Sequence, residues 1–378
     1  MSEYQYYEFL AVDKPLTHKE QEAVGEYSSR AEISSTRFCN EYNYGSFKGD
    51  EHKFLQKWFD VHVYVANWGT RRLMFRVPKD LIDLSLAKAC CGGESVSIQS
   101  HGDLAIFDFL LQPDEGGGDW EEGSGWMATL APLRDELLRG DLRVLYLGWL
   151  FCVQFGELED DAVEPFTPPG LSKLSGAQNG LVDFLGIDQD LIAFAAQMSG
   201  SASPKSTGHE LAAWVTALPT AEKDAMLISL CEGGDGMLGP RLRRRFDTAR
   251  PKIATEGGHR TVRQMLEGAA KRSEERERIK ADAAAMNRER ERVEKVASRQ
   301  KELDTLAARE EDSWREIEKW ILMKTPKAYE NAIAALKDLY DLATRSGGIS
   351  DFSRRITSLR TKHAGKPSFM NRLRKAGL

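Results

Sequence analysis

The chain has 378 residues, of which 41% are hydrophobic, and its 52 Lys and Arg residues against 58 Asp and Glu residues give a net charge of -6. This length predicts two or three domains, and the hydrophobic fraction excludes wholesale disorder. The five cysteines are odd in number and scattered, which argues against a disulfide framework and predicts a cytoplasmic protein.

The charges are divided unevenly along the chain. Residues 1–240 contain 18 Lys and Arg residues against 37 Asp and Glu residues, whereas residues 241–378 contain 34 against 21. The first part therefore has a net charge of -19 and the second a net charge of +13. This asymmetry predicts an acidic globular part and a basic helical part suited to a polyanion or to an acidic protein surface.

Residues 1–112 alternate short strand-like and helix-like segments. Thr17 stands three residues before Glu20, a capping-box spacing that predicts the start of a helix. Residues 61–77 and 95–111 each contain two β-rich arms around a short turn, which is typical of a hairpin. The order β-α-β-α-β-β-α-β-β predicts an α+β domain with a mainly antiparallel sheet.

Residues 113–127 form an acidic, Gly-rich segment that we interpret as a linker. The pattern from 128 to 250 predicts an acidic, mainly α-helical domain. Within it, residues 142–155 are apolar on nearly all sides, but a membrane span needs about 20 such residues. We therefore expect a buried core helix here and no membrane partner.

Residues 258–311 predict a long charged helix, because they contain few large apolar side chains and many pairs of opposite charge. A thin heptad pattern runs along this helix, with members at Ile279, Met286, Val293, Gln300 and Ala307, and with Val296 and Leu303 three residues after two of them. The pattern leaves open an exposed single helix or a weak coiled coil that would allow self-association through 260–311.

Residues 312–378 contain three short amphipathic stripes followed by a basic tail. The three stripes can bury one another as a small helical bundle. The complete prediction is therefore an α+β N-terminal domain, a mainly α-helical domain, a long charged helix or coiled coil, and a small C-terminal helical bundle.

Four segments of the first two-thirds of the chain have a distinctive sequence: EYQYYEFLAVDKPLT, NEYNYGSFKGD, NWGTRRLMFRVP and LYLGWLFCVQFGELEDDAVEPFTPPGL. With them, most of residues 1–200 resembles a family of bacterial proteins without assigned function. The resemblance implies a bacterial protein and little about its chemistry.

The last 50 or so residues contain a second pattern, which comprises Tyr329, Ala332, Leu336 to Leu339, Phe352, Arg355, Leu359, Arg360, His363, Ala364, Lys366, Pro367 and Ser368. This pattern is similar to the helical C-terminus of bacterial SWIM zinc-finger proteins. The finger itself needs a Cys-x-Cys pair followed by Cys-x-His, a spacing that this sequence lacks. The resemblance therefore implies a shared helical docking module without the zinc site.

Several patterns that could carry chemistry have a simpler structural interpretation. Asp50, Glu51 and Lys53 could belong to a metal-dependent nuclease centre, but acidic residues are also favoured at a helix start, which is the interpretation we prefer. The aromatic residues of the first strand could stack on RNA bases, but core packing fits this slightly acidic segment better. The sequence gives no catalytic, metal-binding or cofactor motif, and we expect no cofactor.

The basic part supplies the candidate residues for binding a nucleic acid or a partner protein: Arg241, Arg243, Arg244, Arg245, Arg272, Arg276, Arg372, Arg374 and Lys375. Arginine binds phosphate bidentately, and such contacts would give a salt-sensitive affinity for nucleic acid. The same charges could instead contact protein, remain solvated, or neutralise the acidic middle of the chain.

We therefore expect a cytoplasmic, non-enzymatic interaction or scaffold protein that acts in a bacterial multi-component system through its helical C-terminal region. Its partners would be proteins, including a second copy. The first alternative is a nucleic-acid-binding subunit that uses residues 241–245 and the basic C-terminal helices. The second alternative is an enzyme of unrecognised type in the α+β head.

Overall fold

The structure, a computed structural model, describes residues 3–113, 122–200, 208–232, 236–249 and 259–378. The chain divides into two compact units, which we call the first unit (Met1–Arg276) and the second unit (Glu277–Leu378). An antiparallel sheet comes first and helices follow it. This order confirms the predicted fold class, an α+β head followed by a helical region.

The strands of the first unit form one seven-stranded sheet in the order β2-β3-β1-β4-β5-β7-β6, with antiparallel pairing throughout. The strands are β1 (Gln5–Leu10), β2 (Glu32–Ile33), β3 (Arg37–Tyr42), β4 (Val61–Ala66), β5 (Arg71–Pro78), β6 (Val96–His101) and β7 (Leu104–Leu111). The β4–β5 and β6–β7 pairs are the two predicted hairpins. Gly69 and Gly102 lie in their turns with positive φ, which glycine adopts without steric cost.

The helices of the first unit lie between the strands and after the last of them. They are α1 (His18–Gly25), α2 (Glu51–Trp58), α3 (Leu84–Ala89), α4 (Trp126–Leu130), α5 (Pro132–Leu138), α6 (Arg143–Gln154), α7 (Gly176–Leu185), α8 (Gln189–Ala195), α9 (Gly208–Ala217), α10 (Thr220–Cys231) and α11 (Leu238–Ala249). The next helix, α12 (Val262–Ala308), begins in the first unit and ends in the second.

Both faces of the sheet are covered, each by a separate hydrophobic cluster. Tyr6 belongs to the cluster that includes α4 to α8, whereas Tyr7 and Phe9 belong to the cluster that includes α1 and α2. Side chains alternate between the faces of a strand, so β1 contributes aromatic rings to both clusters. Its aromatic side chains are buried, as predicted from core packing.

Helix α6 lies in the centre of the larger cluster, and every residue from Val144 to Val153 is buried. This confirms the buried core helix expected from the apolar run. No helix among the described residues is long and apolar enough to span a membrane.

The second unit consists of the end of α12 and four further helices: α13 (Glu310–Met323), α14 (Pro326–Ser346), α15 (Ile349–Lys362) and α16 (Pro367–Lys375). Its core contains the apolar stripes of α13, α14 and α15, as the amphipathic patterns predict. The basic tail adds a fourth helix, α16, because Phe369 and Leu373 lie four residues apart and are fully buried in the same core.

The predicted segment boundaries were 1–112, 113–127, 128–250, 258–311 and 312–378, whereas the division between compact units falls inside α12, after Arg276. One hydrophobic cluster joins sheet residues such as Phe109 to helical residues as far as Ala269. Residues 114–121 of the predicted linker, residues 201–207, 233–235 and 250 of the predicted helical domain, and residue 258 lie outside the described residues.

Gly148 of α6 provides a test of the packing between this helix and the sheet. A Cβ atom at this position would lie 2.8 Å from Cε1 of Phe109. Overpacking of a dense core costs typically about 1–3 kcal/mol, so we expect Gly148→Ala to lower the free energy of unfolding in urea by that amount. Gly176→Ala is the matched control, since nothing lies within 4 Å of its Cβ position and alanine favours a helix. Equal stability of the two variants would contradict close packing at Gly148.

Candidate functional site

The arginines predicted to form a basic patch, at positions 241 and 243–245, lie on α11. Their side chains bind other residues of the first unit. The Arg241 Nε donates to Oδ2 of Asp80 at 2.9 Å. The Arg244 Nη2 donates to the backbone oxygen of Ile82 at 3.1 Å. Both contacts therefore attach α11 to the turn that follows β5.

The other two arginines of this patch also pair with carboxylates of the first unit. The Arg245 Nη1 donates to Oε1 of Glu222 in α10 at 2.5 Å, and the Arg243 Nε donates to Oδ2 of Asp247 at 3.1 Å. The Arg243 guanidinium also lies 5.5 Å from the ring centre of Phe246. These pairs favour the alternative in which the patch neutralises acidic residues of the same chain, and phosphate binding by the patch stays a prediction.

The remaining predicted residues are distributed over both units. Arg272 is exposed, and the Arg276 Nη2 lies 3.0 Å from Oδ2 of Asp190 in the first unit. In the second unit, Arg372 lies near Ser368 and Glu330, while Arg374 and Lys375 are exposed on α16. The predicted residues thus belong to separate surfaces in two units.

A cleft of about 1430 Å³ lies in the first unit between the α5–α6 region and helices α9 and α11. Leu211, Trp214 and Leu242 line the α9–α11 side. The opposite side is charged, and its Arg139 and Arg143 donate to the carboxylates of neighbouring residues. Sequence reasoning missed this cleft, because its walls come from segments that are distant in the chain.

Asp13 and Arg134, which line the cleft, belong to an ion network with the buried Asp60 and with Arg76. The Asp60 carboxylate accepts from the backbone N–H of Asp13 at 2.9 Å and from Arg76 Nε at 2.9 Å, and Arg134 Nη2 donates to Asp13 at 2.5 Å. Burial acts to raise the pKa of Asp60, but attraction to Arg76 and Arg134 outweighs it and the pKa is lowered. Burial raises the pKa of Asp13. The network connects the β1–α1 loop, β5 and α5.

The start of α2 confirms the helix-start interpretation of the Asp50–Lys53 segment. The Asp50 side chain accepts a hydrogen bond from the backbone N–H of Lys53 at 3.0 Å and caps the helix. Glu51 pairs with Arg72, which also makes a two-pronged contact with Asp108. Within the described ranges, no group of three or more His, Cys, Asp or Glu side chains could hold a metal ion.

His62 is the central buried histidine of the sheet. Its Nδ1 lies 3.0 Å from the backbone oxygen of Glu8, which places the proton on Nδ1, and its ring stacks on Phe9 at 3.9 Å between centres. The Nε2 has no hydrogen-bond partner and lies 3.9 Å from Oε2 of Glu51. Burial lowers the pKa of His62 to about 3, so the ring is neutral in the folded protein.

The second unit displays an apolar line on α12, which we call the heptad stripe: Ile279, Met286, Val293 and Val296. Their exposed fractions are 58%, 74%, 57% and 54%. All residues from 277 to 298 are exposed, whereas Leu303, further along the same pattern, is buried in the core of the second unit. The stripe therefore comprises the exposed Ile, Met and Val residues of the predicted heptad pattern.

Several residues of the second sequence pattern, in the last 50 or so residues, make contacts within the second unit. The Lys366 Nζ donates to the backbone oxygen of Ile321 at 3.0 Å, near the end of α13. His363 is buried beside Phe369, and Arg355 pairs with Glu311 of α13. The pattern thus has a structural role in joining the last helices to α13.

The pH dependence of stability provides a test of the buried His62. The unfolded chain takes up a proton near pH 6.5, whereas the folded chain resists it down to about pH 3, so stability falls as the pH drops through this window. Between pH 7 and pH 5, wild type should lose about 2 kcal/mol more free energy of unfolding than His62→Gln. The control is His18→Gln, because the His18 side chain is 89% exposed. Parallel pH curves for wild type and His62→Gln would contradict the buried neutral ring.

Hydrogen exchange tests whether the α11 arginines anchor this helix. We expect Arg241→Ala, Arg244→Ala and Arg245→Ala, combined in one protein, to lower the protection of amides in α11, because three contacts to neighbouring segments are lost. Added salt should have a similar but smaller effect, since exposed ion pairs are screened. Arg272→Ala is the control on an exposed position. Unchanged protection in the combined variant would contradict the anchoring.

No family model, curated protein or solved structure matches this chain. The two resemblances noted in the sequence therefore stay predictions.

Proposed function

We propose that this chain is an interaction protein that associates with other proteins through its C-terminal helical region. The observation that carries the proposal is the heptad stripe on α12. Its four side chains lie in one line at spacings of seven, seven and three residues, and more than half of each is exposed. Such a line matches the spacing with which one helix packs against another.

The free energy available from the stripe supports an association of moderate strength. Full burial of a Val, Ile or Met side chain contributes about 1.5–3 kcal/mol relative to leaving it exposed. Scattered exposed apolar residues need no explanation, but a line at heptad spacing on a helix of charged residues is a specific pattern. Stripe burial against a second helix would remove these side chains from water.

The compact second unit supports a role in holding a further partner. Its helices α13 to α16 share one core, and its last helix carries the exposed cations Arg374 and Lys375. The similarity of its sequence to a helical docking module in bacterial SWIM zinc-finger proteins supports the same role. The proposal therefore places the chain in a bacterial multi-component system, with α12 for association and the second unit for docking.

A single, unpaired helix is the competing interpretation of α12. Arg292 lies 3.1 Å from Glu289 and Arg290 lies 3.9 Å from Glu294, and pairs of this spacing stabilise an isolated helix by about 0.2–0.5 kcal/mol each. The helix can therefore persist alone, so association has to be measured directly.

Light scattering of the full chain after size-exclusion chromatography tests the proposal. We expect the wild-type mass to rise with concentration from one chain towards a multiple, because the stripe becomes buried. In Ile279→Lys/Val296→Lys, the concentration of half-association should rise by at least about tenfold, since two lysines replace apolar core contacts.

The matched control for this measurement is Ala284→Lys, which adds a lysine to an exposed position of α12 outside the stripe. This variant should associate like wild type, and circular dichroism should show the same helix content in all three proteins. A wild-type chain of monomeric mass at every concentration would refute self-association through the stripe.

A further inference from the structure

We infer that the helix that covers the heptad stripe is α12 of a second copy of this chain, and that the two helices run antiparallel. This inference rests on the proposed function and deepens it by naming the partner and its direction. It follows from Asp282 and Glu289, the two charged residues at the second core position of the heptad.

The spacing of the stripe favours a second copy. A helix fits a seven-residue repeat best when its own apolar residues have the same repeat, and α12 of a second copy satisfies this condition by identity. The helices α13 to α16 bury their own apolar stripes in the core of the second unit. In α12, residues 277–298 remain exposed and would be exposed in the same way on the second copy.

The heptad has two core positions, and charges occupy one of them. Ile279, Met286 and Val293 hold the first core position, called a. The second core position, called d, falls three residues later, at Asp282, Glu289 and Val296. Two carboxylates therefore lie in line with the apolar residues that a partner helix would cover.

A parallel pair would bring like charges together. In parallel pairing, each position meets the same position of the second copy, so Asp282 would face Asp282 and Glu289 would face Glu289. Like charges that face each other in a partly desolvated interface repel more strongly than in water. The charged core positions therefore act against the parallel arrangement.

An antiparallel pair separates these carboxylates. Antiparallel pairing sets position a of one helix opposite position d of the other, so one register aligns the whole stripe. In this register Ile279 of each copy faces Val296 of the other, so this contact occurs at both ends of the paired segment. Towards the centre, Asp282 faces Val293 and Glu289 faces Met286 of the second copy.

Arginines beside the stripe compensate the two carboxylates in this register. Arg292 directly precedes Val293. Because Val293 of the second copy faces Asp282, Arg292 of the second copy lies next to Asp282. On its own helix, Arg292 Nη2 already lies 3.1 Å from Oε1 of Glu289. The carboxylates thus weaken the pair but select its direction, much as a polar residue at a core position specifies register and oligomer state in coiled coils at a cost in stability.

Disulfide cross-linking of the full chain tests the direction. In a Cys231→Ser background, which removes the exposed native thiol, we introduce Ile279→Cys in one preparation and Val296→Cys in another. A disulfide needs Cα atoms within about 7 Å of each other. Mild oxidation with oxidised glutathione should therefore cross-link an equimolar mixture of the two proteins, and neither protein alone above the level of the background protein.

The outcomes separate the two proposals. Cross-linking of Ile279→Cys with itself and of Val296→Cys with itself would overturn the antiparallel inference, while a dimeric mass would still support the proposed association. Cross-linking no greater than that of Ala284→Cys, in a chain whose mass nevertheless rises with concentration, would overturn the assignment of the stripe to a second α12. A monomeric mass would refute the inference together with the self-association on which it rests.

Discussion

The fold of the first unit depends on burying both faces of one antiparallel sheet. The strands β1 and β4 lie in the interior of the sheet, so polar groups on them have to find partners without water. The Gln5 side chain accepts from the hydroxyls of Tyr7 and Tyr64, and His62 donates to the backbone oxygen of Glu8. These internal contacts explain why the aromatic residues of β1 and the central histidine serve packing and leave no surface for a ligand on this strand.

The types of element could be predicted from the sequence because each depends on local patterns. The capping box at Thr17, the two hairpin turns and the apolar run of α6 are all visible within a few residues. Helix α16 was missed as a helix because it is short and basic and has only two buried positions, Phe369 and Leu373. The strand order, with β1 between β3 and β4, could not be predicted because these pairings join residues far apart in the chain.

The candidate surfaces also differ in how far the sequence predicts them, because some depend on local patterns and others on contacts between distant residues. The heptad pattern is local and visible in the sequence, and the structure adds the exposure of the heptad stripe and the burial of Leu303. The partners of the α11 arginines are not local, since Arg241 reaches Asp80 across 161 positions of sequence. The charge split of the sequence is therefore partly compensated inside the first unit, where the buried Glu164 also pairs with Arg260 at 2.7 Å. A difference in charge between segments gives a weak basis for proposing a nucleic-acid surface when the folded chain brings those segments together.

The sequence of α12 has to meet two requirements that ordinarily conflict, which are the stability of an isolated helix and an apolar line for association. A helix without tertiary contacts needs local ion pairs to persist, and these require charged residues on most positions. Association needs an apolar line, which charged residues interrupt. The pairs Arg292–Glu289 and Arg290–Glu294 satisfy the first demand, while the stripe satisfies the second with few side chains. Because the interruptions at Asp282 and Glu289 fall on one core position only, they cost affinity in every arrangement but bring like charges face to face only in the parallel one. In the proposed pair, the sparse stripe thus exchanges strength of association for a defined direction.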